Sequence, residues 1–110
     1  METLVKGDVV VLPFPFSDLS ASKNRPALVV ATLIGEDVIL CQITSVLRAD
    51  EYILALSDND FKQGALRIES RIKCNRLFTA DKSIISYKLG SLKESKIKEV
   101  ERKLIKIFTQ

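Results

Sequence analysis

Arg25 is the first candidate for a catalytic or ligand-binding role. It lies in the segment SKNRPALVV at residues 22–30. It stands between a polar stretch and an apolar run, and Pro26 follows it. A residue before proline is restricted to extended conformations, so we expect Arg25 to enter a strand with little backbone freedom. A guanidinium held on a rigid element can grip a phosphate through a bidentate fork. A lone arginine before a strand is also typical of a surface charge, and the segment alone leaves both interpretations open.

Thr44 and Ser45 are the hydroxyl residues that could join this arginine. They end the apolar run DVILCQI, and the turn residues before that run predict a hairpin with the strand after Arg25. Arg25 lies eleven residues before Glu36 and Thr44 eight residues after it, so the hairpin brings them close within the error of the register. One guanidinium and two hydroxyls would suit a site that stabilises a phosphorane-like transition state.

Other familiar catalytic groups are missing from the chain. It contains no histidine, and its two cysteines, Cys41 and Cys74, form no C-x-x-C pair, so we expect buried thiols. Asp58 and Asp60 flank Asn59 in a segment that is typical of a turn. No glycine-rich phosphate loop and no set of metal ligands is recognisable. We therefore expect neither a metal nor a cofactor.

Charge is unevenly distributed along the sequence. Residues 1–60 carry 4 Lys/Arg against 9 Asp/Glu, a net charge of −5, whereas residues 61–110 carry 13 against 5, a net charge of +8. This asymmetry permits an anionic partner near the second half. A lysine-rich, solvated C-terminal helix would explain about half of the excess.

The elements that must position these residues are mostly short strands. The pattern predicts a first strand over residues 8–12, ended by prolines, then a long polar loop over 13–24, with Pro26 as the first residue of the next strand. Residues 52–57 form a further strand candidate. From Leu66 to Cys74 the even positions are mostly apolar, whereas the odd positions from Arg67 to Asn75 are polar, which indicates a strand with one core face. Three of the five outer residues are basic, and the pattern leaves open whether this face meets solvent, an anion or another subunit.

The C-terminal segment has the pattern of an amphipathic helix. Ile97, Val100 and Leu104 recur at helical spacing, and Ser91 with Glu94 forms a possible capping box. The whole chain of 110 residues suits one domain: a mainly β, small antiparallel barrel with a C-terminal helix. Its longest apolar stretch has nine residues, too few for a membrane span, and we expect a cytoplasmic protein without a signal segment.

At these residues the sequence resembles the MazF/PemK family of toxin ribonucleases from type II toxin–antitoxin systems. The matching segments lie in the family's order: KGDVVVLPFPF, RPALVV, VILCQITS, SRIKCNRLFTADKSII and GSLKESKIKEVERKL. In the fourth segment, Ser70, Thr79, Asp81 and Lys82 stand in the expected places. The specificity of the resemblance comes from five motifs that stand together in the correct order and spacing.

The resemblance implies an SH3-like barrel, a homodimer and metal-independent cleavage of single-stranded RNA to a 2′,3′-cyclic phosphate and a 5′-hydroxyl. It places the catalytic arginine on Arg25 and the catalytic threonine on Thr44. It further implies a cognate antitoxin, with operator DNA bound only through the antitoxin complex. Because the loop before Arg25 and the sheet near the groove contact RNA in this family, the expected substrate-binding residues are Ser45, Ser22, Lys23, Asn24, Arg71, Lys73 and Arg76.

Two other functions are compatible with the same fold class, since a fold does not determine function. One is a non-enzymatic toxin that binds DNA gyrase, as CcdB does; such a protein would not need Arg25 together with Thr44. The other is a nucleic-acid-binding regulator that has lost catalytic activity. A cleavage assay separates both from a ribonuclease.

Overall fold

The structure is a computed structural model that describes residues 3–15, 22–48 and 50–110. Within these residues the chain forms seven strands, two 3-10 turns and one helix. The strands are β1 (Asp8–Pro15), β2 (Ser22–Thr32), β3 (Asp37–Thr44), β4 (Ile53–Leu56), β5 (Phe61–Gly64), β6 (Ser70–Asp81) and β7 (Tyr87–Leu92), the turns are Asp58–Asp60 and Lys82–Ile84, and the helix is α1 (Glu94–Thr109).

All seven strands belong to one antiparallel sheet. Their order across the sheet is β4-β6-β3-β2-β1-β7-β5. The sheet curls into a half-barrel, with β4 and β5 at its edges and α1 against one face. This confirms the mainly β fold class with a C-terminal helix.

Each face of the sheet carries its own apolar cluster. Alternate residues such as Val9, Leu28 and Ile72 form the first cluster, which α1 covers with Val100 and its apolar neighbours. The intervening residues form the second cluster, on the face away from the helix: Leu4, Val10, Leu12, Ala27, Val29, Val38, Leu40, Ala80 and Ile85. Because apolar residues are buried on both faces in the middle of the sheet, β2 and β3 lack a clean polar alternation there.

The face away from the helix is concave. Phe14 on β1 and Phe78 on β6 meet edge to face, with ring centroids 4.9 Å apart. Two strands, β2 and β3, lie between β1 and β6 in the sheet. The rings can touch only because the sheet curls around them. We call this side of the sheet the concave face.

Helix α1 is tied to an edge of the sheet by a buried lysine. The ammonium of Lys96 donates to the Ala55 carbonyl oxygen on β4 at 3.0 Å and to Glu99 Oε1 at 2.8 Å. It also lies 3.7 Å from Asp60 Oδ2. Satisfying the charge in this way makes the burial of a lysine tolerable and holds the edge strand β4 in place.

Gly7 and Asp8 stabilise the start of β1. Gly7 has a φ of 98°, and its N–H donates to the Val29 carbonyl oxygen. The buried Asp8 carboxylate accepts from the Val5 N–H at 2.9 Å, and the Lys88 ammonium lies 3.3 Å from Asp8 Oδ1. The carboxylate therefore fixes the chain where it enters the sheet.

The first two strands are longer than the sequence pattern predicts. β1 continues through Pro13 to Pro15, and Ser22 to Asn24 lie in β2 rather than in a loop. Pro26 is therefore an interior residue of β2, opposite Val11, and not its first residue. The proline is tolerated because the ladder to β3 begins only at residue 27. What remains of the predicted loop, residues 16–21, lies outside the described residues.

Two further predictions need correction. The strand predicted from Leu66 begins only at Ser70, so Leu66 precedes β6, and Ile68 is exposed and not part of a core face. The short strands β5 and β7 were not predicted. The capping box is wrong, because Ser91 is buried inside β7 and Lys93 occupies the N-cap of α1 without a side-chain hydrogen bond. The 3-10 turn at Asp58–Asp60 and the buried, free state of both cysteines are as predicted.

The two cysteine thiols lie side by side in the cluster under the helix. Contact with Cys74, together with burial, raises the pKa of the Cys41 thiol far above its usual value. Both side chains behave as small core residues. No helix within the described residues has the length and apolar character needed to traverse a bilayer.

A close backbone contact joins the edge strand β5 to β7. Gly64 and Gly90 are paired, and a Cβ on Gly90 would overlap the Gln63 carbonyl oxygen. We expect Gly90→Ala to lower the free energy of unfolding by about 1–3 kcal/mol, the usual cost of overpacking. Urea unfolding followed by circular dichroism measures it. The exposed Ala65→Ser is the control and should change stability by less than about 0.5 kcal/mol; an equal effect of both changes would contradict the contact.

Candidate functional site

The register of the hairpin decides whether Arg25 and Thr44 meet. Thr32 pairs with Val38, so the turn is centred on Gly35, and β2 carries a bulge between Val29 and Ala31. The ladder then runs to the pair of residues 27 and 42. Continued by two residues, this register places Arg25 opposite Thr44. Counted from Gly35, Arg25 is ten residues away and Thr44 nine, and the bulge in β2 takes up the one extra residue. The unequal distances of Arg25 and Thr44 from Glu36 are therefore explained.

Thr44 is the last residue of β3 and is 5% exposed. Its neighbour Ile43 belongs to the cluster under the helix, so Thr44 points to the concave face. Its Oγ1 accepts from the Val46 N–H at 3.1 Å. This local bond orients the oxygen and leaves the hydroxyl proton available for donation to a ligand.

Arg25 lies in β2, opposite Leu12 of β1. It shares its face with Ala27, which belongs to the concave cluster, and its side chain is half-buried with a buried Nε. The backbone of Arg25 pairs with β1, and the following proline restricts its conformation. The arginine is therefore a fixed part of the sheet.

The strand on the other side of β3 adds two more cations. Arg71 of β6 is directly opposite Thr44, and Lys73 is opposite Gln42. Their neighbours Ile72 and Cys74 are fully buried on the helix side, so Arg71 and Lys73 lie on the concave face, where both are half-buried. We call Arg25, Thr44 and Arg71 the cationic row. It runs across three adjacent strands.

The remaining predicted contact residues differ in the face that they occupy and in their exposure. Lys23 is exposed on the face of Arg25, opposite Phe14, whereas Asn24 points to the other face. The side chain of Ser22 lies outside the described part of the chain. Ser45 is exposed directly after Thr44.

Arg76 is exposed in an irregular segment of β6. The ladder to β3 jumps there from Lys73 opposite Gln42 to Leu77 opposite Cys41, which leaves Arg76 out of the pairing. The structure therefore brings Arg25, Thr44, Arg71 and Lys73 together in the sheet, but does not give Arg76 or Asn24 a place in the row.

Sequence reasoning missed Gln42, which lies on the concave face between Ala27 and Lys73. The signal was present, because in a strand a residue two positions before Thr44 must share its face. Its side-chain amide, which can donate and accept, adds a neutral hydrogen-bonding group beside the cations.

Asp81 of the predicted DK segment has a structural role. Its carboxylate accepts from the Ser83 N–H at 2.8 Å, and this bond together with the Ser83 hydroxyl lowers the pKa of Asp81. The residue caps the 3-10 turn after β6.

The cationic row lies on an open concave surface and not in the neighbouring cavity. A cavity of about 290 Å³ between β4 and residues 66–69 is lined by Leu56 and Phe61 of the other cluster. Among the described residues, no group of three or more Cys, Asp or Glu side chains has the arrangement of a metal site. Two guanidiniums flanking a hydroxyl are suited to a phosphate, because forked donors match its oxygens.

The fold and the row together define a class: small curled-sheet proteins with an open, cationic face. Residues 5–108 match the family model described as PemK-like, MazF-like toxin of type II toxin-antitoxin system. The chain belongs to that family, which confirms the resemblance seen in the sequence. No curated protein matches the chain at a significant level.

Solved structures agree with the fold. An endoribonuclease in complex with its cognate antitoxin from Mycobacterial species has a TM-score of 0.75 at 16% identity, covering 96% of this chain and 95% of that one. An endoribonuclease from Mycobacterial species has a TM-score of 0.74 at 17% identity, with coverages of 98% and 93%. Mycobacterium tuberculosis toxin MazF-mt6 has a TM-score of 0.67 at 17% identity, with coverages of 90% and 95%.

The hydrogen bond at the end of β3 can be tested by its effect on stability. Thr44→Val removes the acceptor of the Val46 N–H while keeping the side-chain shape, and we expect a loss of about 1 kcal/mol in the free energy of unfolding. Urea unfolding measures this loss. Ser45→Ala is the matched control at an exposed hydroxyl and should lie within about 0.5 kcal/mol of the wild type. A Thr44→Val protein as stable as the control would contradict the role of this bond.

Proposed function

We propose that this protein is the toxin of a toxin–antitoxin pair and that it cleaves single-stranded RNA at the cationic row. The observation that carries the proposal is the placement of a buried threonine hydroxyl beside guanidiniums on rigid neighbouring strands. Family membership supports it, and two of the structural neighbours are named endoribonucleases.

The proposed reaction uses the RNA's own 2′-hydroxyl as the nucleophile. The 2′-oxygen forms a bond to the adjacent phosphorus, and the bond from phosphorus to the 5′-oxygen breaks. One proton leaves the 2′-oxygen and one is gained by the 5′-oxygen, so the products are a 2′,3′-cyclic phosphate and a 5′-hydroxyl. The protein then needs to position the RNA and stabilise charge, and needs no nucleophile of its own.

Arg25 and Thr44 have the two roles that this reaction requires. The Arg25 guanidinium stabilises the negative charge that accumulates on the phosphorane and assists the departing 5′-oxygen. Thr44 donates its hydroxyl proton to a non-bridging phosphate oxygen. We propose that cleavage is metal-independent, with guanidiniums supplying the positive charge that metal ions supply in other nucleases.

The RNA would lie along the concave face. Arg71 and Lys73 are the best placed of the proposed contacts, since both are half-buried beside Thr44 and Gln42. The other proposed contacts are Ser45, Ser22, Lys23, Asn24 and Arg76. Ser45 and Lys23 are exposed near the row.

The proposed partners follow from the same assignment. The structural neighbour solved with its cognate antitoxin supports an antitoxin for this chain. We further propose a homodimer, contact with operator DNA only through the antitoxin complex, and action on mRNA in the cytoplasm.

Cleavage of a mixed-sequence single-stranded RNA in EDTA tests the enzymatic proposal. We expect wild-type protein to cut and Arg25→Ala to lose about 100- to 1000-fold in rate, the usual loss on removing a donor to a developing oxyanion. The 5′ ends should accept a kinase label directly, and the 3′ ends should resist phosphatase.

Arg102→Ala, which removes an exposed arginine from α1, is the matched control and should cut at the wild-type rate. An Arg25→Ala protein that cuts as fast as the control would overturn the assignment of Arg25. Intact RNA with recovery of a topoisomerase subunit in a pull-down would favour a gyrase-binding toxin. Salt-sensitive RNA binding without any cleavage would favour an inactive regulator.

A further inference from the structure

The residue opposite Thr44 on the far side from Arg25 is itself an arginine. Arg71 pairs with Thr44 in the β3–β6 ladder. The β2–β3 register, continued two residues beyond the pair of Ala27 and Gln42, places Arg25 on the other side of the same threonine. Two strand spacings separate the backbones of the arginines, about 10 Å. Two side chains of this length on one concave face can bring their forks to a single phosphate above the Thr44 hydroxyl.

The surroundings of Arg71 favour a ligand over a structural partner. Its side chain is half-buried, and its Nε is a buried atom without a hydrogen-bond partner. It forms none of the hydrogen bonds or ion pairs found among the described residues. A buried donor left unpaired costs about 1–3 kcal/mol, which an incoming phosphate oxygen would recover.

Space for that ligand exists on the open side of Arg71. Its neighbour across β6 is Ala55 of β4, a small and exposed residue. Lys96 holds the Ala55 carbonyl oxygen from the opposite face, so β4 is fixed without placing an acidic group beside Arg71. The guanidinium is thus supported by rigid strands on both sides.

We propose that Arg71 is a second catalytic arginine, which contacts the same scissile phosphate as Arg25 and Thr44. This inference rests on the proposed function and deepens it. As the 2′-oxygen bonds to phosphorus and the bond to the 5′-oxygen weakens, charge builds on the two non-bridging oxygens. Arg25 takes one oxygen and Arg71 the other, while Thr44 donates between them.

This role differs from an ordinary backbone contact in what it changes. A contact to a neighbouring phosphate strengthens RNA binding equally before and during reaction, and its loss raises the dissociation constant. A contact that strengthens as the phosphorane forms also accelerates the chemical step, and its loss lowers the rate even when all RNA is bound.

The test is single-turnover cleavage of a single-stranded RNA at saturating protein, with binding measured separately on the same RNA carrying 2′-O-methyl groups throughout. We expect Arg71→Met to slow the saturated rate about 100-fold, whereas its dissociation constant rises less than about tenfold, the effect of one lost phosphate contact. Arg67→Met, which neutralises an exposed arginine before β6, should match the wild type in both.

Each outcome decides the matter. A saturated rate of Arg71→Met equal to that of Arg67→Met, with or without weaker binding, overturns this inference but leaves the ribonuclease intact. Wild-type protein that cuts no RNA overturns the proposed function and the second catalytic arginine with it.

Two further variants keep the inference testable if Arg71→Met is unstable by thermal unfolding. Arg71→Lys keeps the charge and loses the fork, so we expect about a tenfold loss of rate at saturation. Arg71→Ala should regain rate in millimolar guanidinium chloride, and not in the same concentration of sodium chloride. Full activity of Arg71→Lys, or no recovery with guanidinium, overturns the assignment.

Discussion

The register of β3 against its two neighbours is the constraint on which the candidate site depends. Because strand side chains alternate, a slip of one residue on either side would turn a cation of the row toward the helix. Irregularities set the alignment on both sides: the β2 bulge between Val29 and Ala31, and the interruption of β6 after Lys73. The β2 bulge lies between the hairpin turn and the core pairs of residues 27–29, whereas the β6 interruption lies between the apolar pairs of β3 and the row. The interruption of β6 therefore allows the core and the row to keep different alignments on that side.

The sheet can carry a cationic row because the helix covers one of its faces, whereas the other face is only partly covered. The helix seals one face with Val100 and its apolar neighbours, while the Phe14–Phe78 contact closes part of the concave face. The rest of the concave face stays open, where half-buried guanidiniums keep access to solvent. Long apolar stems let such side chains lie along the sheet while the guanidinium stays at the open surface. Burying the Arg71 charge fully would have required an acidic partner, which would have competed with a phosphate.

Rigidity at the row comes from elements far from it in the sequence. The buried Lys96 of α1 holds β4, which in turn flanks Arg71. On the other side, the Asp8 carboxylate fixes the start of β1, and β1 pairs with the strand that carries Arg25. These supports hold the charged groups in place before any ligand arrives. Such preorganisation is what makes hydrogen-bond donors effective toward a charge that appears only in a transition state.

The sequence by itself determined five of the seven described strands, the helix and the candidate pair Arg25 and Thr44, because apolar periodicity, turn residues and the Arg-Pro step are local signals. It also determined that the cysteines would be core residues and that residues 58–60 would form a turn. It missed β5, β7 and Gln42, began β6 four residues too early and mistook Ser91 for an N-cap residue, since pairing across the sheet overrides local preference there. Only the tertiary structure decided that Arg71 lies opposite Thr44. The β3–β6 pairing joins residues distant in the chain, and no local sequence pattern indicates the bulge that sets its register.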